Sequence, residues 1–127
     1  MNLLDASSIF NLFQKGKYGE LIAGATIPLA KYEIGNILWK NYKIRNKISR
    51  EEAMDSGHVL FELLESMELV SPSPVSTLIL SLEDGLTFYD SSYLVSAIES
   101  GYTLVTDDVK LLNIANQKVL ARRSSDL

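Results

Sequence analysis

Four acids, Asp5, Glu33, Asp90 and Asp108, stand where a carboxylate is awkward unless it has work to do. Glu33 falls three residues after Ala30 and four before Ile37, on the apolar stripe of a predicted helix. Asp90 falls four before Leu94 and seven before Ala97, on a stripe completed by Ile98. A charge in that setting is costly unless it is paired or ligates a metal. Asp5 and Asp108 follow the short apolar runs Asn2–Leu4 and Thr103–Thr106, which read as strands. Taken singly, three of the four also have a plain structural use. Asp5 and Asp108 suit helix N-caps, and Asp90 lies three after Thr87, the capping-box position. Taken together at one rim, the anions would repel one another and raise each other's proton affinity, a cost that a cation removes. Oxygen-only ligands with open positions select a hard ion, Mg²⁺ or Mn²⁺, which acidifies a water and offsets charge on a phosphodiester. Whether one ion or two bind is left open.

Composition closes off other chemistry. The chain has no cysteine, which excludes thiolate metal sites, disulfides and a Cys nucleophile. Its one histidine, His58, excludes catalysis by a histidine pair. His58 has Asp55 three before it and Glu62 four after it, but reads better as a helix-surface residue. Neither a nucleophile elbow nor a Walker phosphate loop occurs; Gly16-Lys17 lacks the preceding glycine. The net charge of −4 looks wrong for a nucleic-acid partner. Without the four acids, however, the 12 basic and 16 acidic residues balance. Lys40, Lys43, Arg45, Lys47 and Arg50 lie in a stretch that contains no acid, either a solvated helix end or a phosphate-contacting patch for RNA. Trp39 and Tyr42 beside it suit base stacking, packing, or a contact with another protein chain.

These residues need a scaffold that brings distant positions together. Strands are predicted at Asn2–Leu4, Leu21–Ile27 (weakened by Gly24), Leu69-Val70 as a buried strand, Thr103–Thr106 and Lys118–Ala121. Helices are predicted after Asp5, from Pro28 to about Arg45, behind the capping box Ser49/Glu52, over Val75–Leu82, over Thr87–Glu99 and over Leu111–Ala115. Alternating helices and short apolar strands imply an α/β protein: a three-layer α/β/α sandwich with a mostly parallel sheet of four to five strands. Residues 1–127 are expected to form one domain. In such a sheet the strand carboxyl ends and the following helix N-termini share one rim, where ligands bind. The tail after Arg122 is expected to fray. No signal peptide or membrane span is expected, and the cytoplasm is the default location.

Four fragments in order carry a resemblance across essentially the whole chain: Leu3-Leu4-Asp5-Ala6-Ser7, Tyr32-Glu33-Ile34-Gly35-Asn36, Phe88-Tyr89-Asp90-Ser91-Ser92-Tyr93-Leu94 and Leu104-Val105-Thr106-Asp107-Asp108. Together they resemble the acidic motifs of PIN-domain ribonucleases. Size and layout are most similar to the VapC-type toxins of toxin–antitoxin pairs. That resemblance implies a Mg²⁺- or Mn²⁺-dependent endoribonuclease, dimeric, and inhibited by a cognate antitoxin. It implies Asp5, Glu33 and Asp90 as main metal ligands, Asp108 as the fourth acid, and Ser7 and Thr106 as supporting hydroxyls. Asp107, adjacent to Asp108, leaves the fourth position open by one residue. Ser91 and Ser92 stand where the family more often has a small apolar residue. A catalytically degenerate PIN-like protein- or RNA-binding module is the alternative.

Overall fold

In the computed structural model, which describes residues 1–127, the chain starts with β1 (Asn2–Leu4) and α1 (Ala6–Gln14). There follow α2 (Tyr18–Ile22), β2 (Ala25–Thr26), α3 (Ala30–Lys43), α4 (Arg50–Ser66) and β3 (Glu68–Leu69). Then come α5 (Pro74–Asp84), α6 (Phe88–Ser100), β4 (Thr103–Val105), α7 (Val109–Ala115), β5 (Ala121–Arg122) and a 3₁₀ turn over Ser124–Asp126. Local chemistry sets several of these boundaries. The Ser49/Glu52 capping box opens α4, Pro74 follows the Ser73 cap of α5, and left-handed Gly85 and Gly101 close α5 and α6.

The five strands are all parallel, in the order β3-β2-β1-β4-β5. The chain winds outward from β1 through β2 to β3, then crosses back to place β4 on the other side of β1 and β5 beyond it. β1 and β4 therefore straddle the point where the winding reverses, the place where open α/β sheets bind ligands. Their register sets Leu4 beside Val105, so Asp5 and Thr106 emerge next to one another. Helices α1 to α4 pack among themselves, as do α5 to α7, giving one layer on each face of the sheet. The core between them is continuous and includes Leu3, Leu4, Ile9, Leu12, Ile34, Leu60, Leu94, Leu104 and Leu111.

Helix α6 is buried on every side from Ser91 to Ala97, so its serines must satisfy their own hydroxyls. Ser81 Oγ donates to Ser91 Oγ at 2.8 Å, and Ser96 Oγ to the Ser92 carbonyl at 2.7 Å. This accounts for polar residues at positions where small apolar ones would otherwise serve.

Four expectations from the sequence need correction. Leu21–Ile27 is a strand only at Ala25–Thr26; Leu21 instead buries itself as part of α2. A Cβ at Gly24 would press on the buried Leu4 side chain and crowd the Glu20 carbonyl, so a larger residue there would have to displace Leu4. Leu69 is not buried, since β3 is the sheet edge and both its residues are exposed. The last strand begins at Ala121 rather than Lys118, because the Lys118 and Val119 amides close the end of α7 on the Ala115 carbonyl. The tail does not fray. Ser124 is buried, Leu127 packs on the core, and Lys17 Nζ donates to the Leu127 carbonyl.

Candidate active site

Asp5 follows β1 and is 5% exposed. Its Oδ1 accepts the Ser8 amide at 2.9 Å, capping α1, and the Ser7 hydroxyl at 3.1 Å; its Oδ2 accepts the Thr106 hydroxyl at 2.5 Å. Burial raises its pKa above the ordinary carboxylate value, and those hydrogen bonds pull part of the way back. Thr106 also reaches the fourth acid, because its Oγ1 accepts the Asp108 amide at 3.1 Å. One hydroxyl thus ties the carboxyl ends of the two central strands together and fixes where both acids stand.

Asp108 caps α7 by accepting the Leu111 amide at 2.8 Å. Glu33 lies in the first turn of α3, where Tyr93 Oη from α6 donates to its Oε1 at 2.6 Å. Its pKa is raised chiefly by burial, opposed by the Tyr93 hydrogen bond, and raised further by the charges of Asp90 and Asp5. Asp90 lies in the first turn of α6, where the Thr87 hydroxyl accepts its amide at 3.1 Å. The reciprocal half of a capping box, in which the Asp90 carboxylate would accept the Thr87 amide, is not formed. Burial and then the Asp108 charge raise its pKa, partly opposed by a hydrogen bond with the Thr87 hydroxyl and then by the Lys110 charge.

All four acids line one cavity of about 560 Å³. Ser7, Asn36, Lys40, Tyr32, Tyr89 and Tyr93 share its wall. None of the four is in a salt bridge; the chain's one ion pair joins Lys118 and Asp84. The oxygen-only donor set and its unrelieved repulsion suit a hard divalent cation. No three of the chain's acids converge closely enough to hold a metal ion among them, however, and Asp5 commits both oxygens to hydroxyls and an amide. That arrangement fits a cation that keeps several of its own waters better than one fully wrapped by protein.

Asp107 lies outside this cavity. Its Oδ1 accepts the Ser124 amide at 2.9 Å, and its Oδ2 accepts Asn11 Nδ2 at 2.7 Å and Ser124 Oγ at 2.5 Å. Burial opposes its ionisation, but the hydrogen bonds from Ser124 and Asn11 outweigh it and lower the pKa. Asp107 is the latch that holds the C-terminal turn.

The basic residues divide. Lys40 is in the cavity wall, while Arg45 and Lys47 line a neighbouring groove of about 350 Å³ that shares Ser7 and Ile37 with it. Lys43 lines neither, and Trp39 and Tyr42 lie outside the cavity. His58 is exposed on α4. Sequence reasoning passed over Tyr93 and the cavity-lining Tyr32, Tyr89 and Asn36. For Tyr93 a signal existed, since it follows Asp90 by three residues and shares its helix face.

No protein-family model matches the chain. It is 35% identical over 115 residues to exonuclease VapC9 of Pyrobaculum aerophilum, covering 87% of this chain and 82% of that protein. It is 30% identical over 119 residues to ribonuclease VapC3 of the same organism, covering 86% of this chain and 90% of that protein. The crystal structure of PAE2754 from Pyrobaculum aerophilum superposes with a TM-score of 0.78 at 31% identity, covering 94% of this chain and 89% of that one. The acidic cavity thus belongs to a chain whose relatives carry nuclease names.

Proposed function

The chain belongs to the VapC family of PIN-domain toxins, and from that premise we propose that it is a divalent-metal-dependent endoribonuclease acting in the cavity bounded by Asp5, Glu33, Asp90 and Asp108. The observation that carries this reading is the meeting of four acids from four separate elements, with no cation paired to any of them. Asp5, Glu33 and Asp90 would hold Mg²⁺ or Mn²⁺, with Asp108 completing the set. When bound, the ion supplies Lewis acidity that makes a water more acidic and offsets charge on the phosphodiester.

The chain's own groups do the rest. The Ser7 and Thr106 hydroxyls hold the Asp5 carboxylate in one orientation. The Tyr93 phenol does the same for Glu33. Lys40 meets substrate phosphate inside the cavity, and Arg45 and Lys47 meet it along the adjoining groove. The cavity shares Ser7 and Ile37 with that groove, so a strand bound among the acids has a neighbouring surface to run along rather than end there. This favours internal cutting, with a 5′-phosphate on the product. The partners in this reading are RNA and a cognate antitoxin. A second copy of the chain is part of the same proposal, with the exposed Val75, Leu78, Ile79 and Leu82 of α5 as the apolar surface available to it. The chain has no helix long and apolar enough to cross a membrane.

A circular single-stranded RNA tests the proposal, because only an endonuclease can open it. Linear products in Mn²⁺ that disappear on adding excess chelator, or on substituting Asp90→Asn, are the expected result. Full cleavage in excess chelator, or an intact circle in Mn²⁺, overturns it. A chain that melts at the same temperature with and without Mn²⁺ favours a binding module instead.

A further inference from the structure

Two tyrosines stand at the acids' shoulders. Tyr32 precedes Glu33 in α3, and Tyr89 precedes Asp90 in α6. Both rings line the acidic cavity, yet Tyr32 is 68% exposed and Tyr89 59%. An exposed tyrosine alone says little, since folded surfaces carry many apolar atoms. Here two rings from different helices stand beside the carboxylates of one cavity, where nothing in the chain covers them. The helix geometry that turns Glu33 and Asp90 toward the core turns the preceding residue outward, to the mouth. One face of Tyr32 also carries the Lys31 ammonium, 5.2 Å from the ring centre, a cation positioned to neutralise a phosphate beside a stacked base.

Resting on the endonuclease reading, we propose that Tyr32 and Tyr89 are base-stacking residues that hold the nucleotides flanking the scissile phosphate, each ring taking one unstacked base. A phosphate placed among the acids puts its neighbouring bases at the cavity mouth, within reach of aromatic rings. Stacking accepts any base, because each has a π-face, and therefore selects for strandedness more than for sequence. A duplex keeps its bases stacked on one another and offers neither ring a partner. Trp39 and Tyr42, the aromatic pair suggested by the basic stretch, lie off the cavity and take no part.

The test uses the full chain with Mn²⁺ and a short single-stranded RNA cut at one position. Each of Tyr32→Ala and Tyr89→Ala should raise KM between about 5-fold and 100-fold with kcat within about twofold, and Tyr→Phe at either position should restore KM. Wild-type protein should show the same rise in KM when one base beside the cut is replaced by an abasic site. An alanine variant should be indifferent to the abasic site that its own ring would have met. The same sequence held in a hairpin stem should resist cleavage. A wild-type KM unchanged by abasic sites on both sides overturns the proposal, whatever the variants do. Variants with unchanged KM but weakened antitoxin binding also overturn it, assigning the rings to a protein partner. If wild-type protein cuts no RNA at all, the endonuclease reading itself has failed. If it cuts with KM indifferent to rings and bases, only the stacking proposal has.

Discussion

The Tyr93 hydroxyl donates a 2.6 Å hydrogen bond to Oε1 of Glu33, joining α6 to α3 across 60 residues of chain. Tyr93 is 1% exposed, and burial together with the Glu33 carboxylate makes its phenol less acidic than an ordinary tyrosine. The hydroxyl therefore remains a donor at any working pH. It leaves Glu33 one free oxygen and a fixed direction, as an outer partner does for a ligating group.

Tyr93→Phe keeps the ring in the core and removes only that donor. Activity or Mn²⁺ affinity is expected to fall about 10- to 100-fold, while stability drops by about 1 kcal/mol. Metal titration with a melting curve in parallel separates the two. Wild-type Mn²⁺ affinity together with wild-type turnover would mean that the bond is only structural.

Asp5→Asn preserves the cap on α1, because asparagine accepts an amide hydrogen bond almost as well. It removes the charge that the other acids share. RNA cleavage is expected to fall by at least about 100-fold with the circular dichroism spectrum unchanged. A variant that cuts at the wild-type rate would remove Asp5 from the chemistry.

The acids of the cavity set a pH dependence with a definite sign. Asp5, Glu33 and Asp90 all have pKa values raised above their ordinary 3.8, 4.5 and 3.8, chiefly by burial. Raised values mean the folded chain binds protons more tightly than the unfolded one. The stabilisation is complete below the ordinary values and lost as pH rises through the raised ones. Metal-free protein should accordingly melt higher at pH 5 than at pH 7. A divalent ion replaces the lost protons, so Mn²⁺ should raise the melting temperature more at pH 7 than at pH 5. At 100 times its dissociation constant the ion adds about 2.7 kcal/mol. Asp107 behaves oppositely, its lowered pKa costing stability only at pH values below about 4. A metal-free melting temperature that rises from pH 5 to pH 7 would contradict the burial of these acids.

Asp107→Ala should act on the tail and leave the cavity alone. It strands the Ser124 amide and hydroxyl and the Asn11 amide, at a cost of about 1–3 kcal/mol. Limited proteolysis should then clip the C-terminus first, while Mn²⁺ binding stays at the wild-type level. Loss of Mn²⁺ binding with an intact tail would place Asp107, rather than Asp108, among the ligands.

Arg45 and Lys43 should separate cleanly in RNA binding. Arg45→Ala removes a cation from the groove beside the cavity and should lower the slope of log affinity against log salt by about 1. Lys43→Ala, outside both grooves, should leave that slope unchanged. Equal effects would return the basic stretch to a diffuse patch.

The parallel α/β layout was legible in the residue order, because apolar period and capping chemistry act over a few residues. Ser49 with Glu52, and Thr87 ahead of Asp90, are examples. The same local rules put Glu33 and Asp90 on apolar faces and Asp5 and Asp108 at strand ends. They could not choose between Asp107 and Asp108. Those neighbours are told apart by Asn11, 96 positions away, and by Ser124, which together claim Asp107 for the tail. Nor could they show Thr106 bonding to Asp5, 101 residues distant, or Tyr93 to Glu33. The ordered tail and the exposure of β3 were likewise settled by what packs beside them. A side chain's type and period are local properties, whereas its partner is whatever the folded sheet brings within about 3 Å. Strand order and register belong to the whole chain.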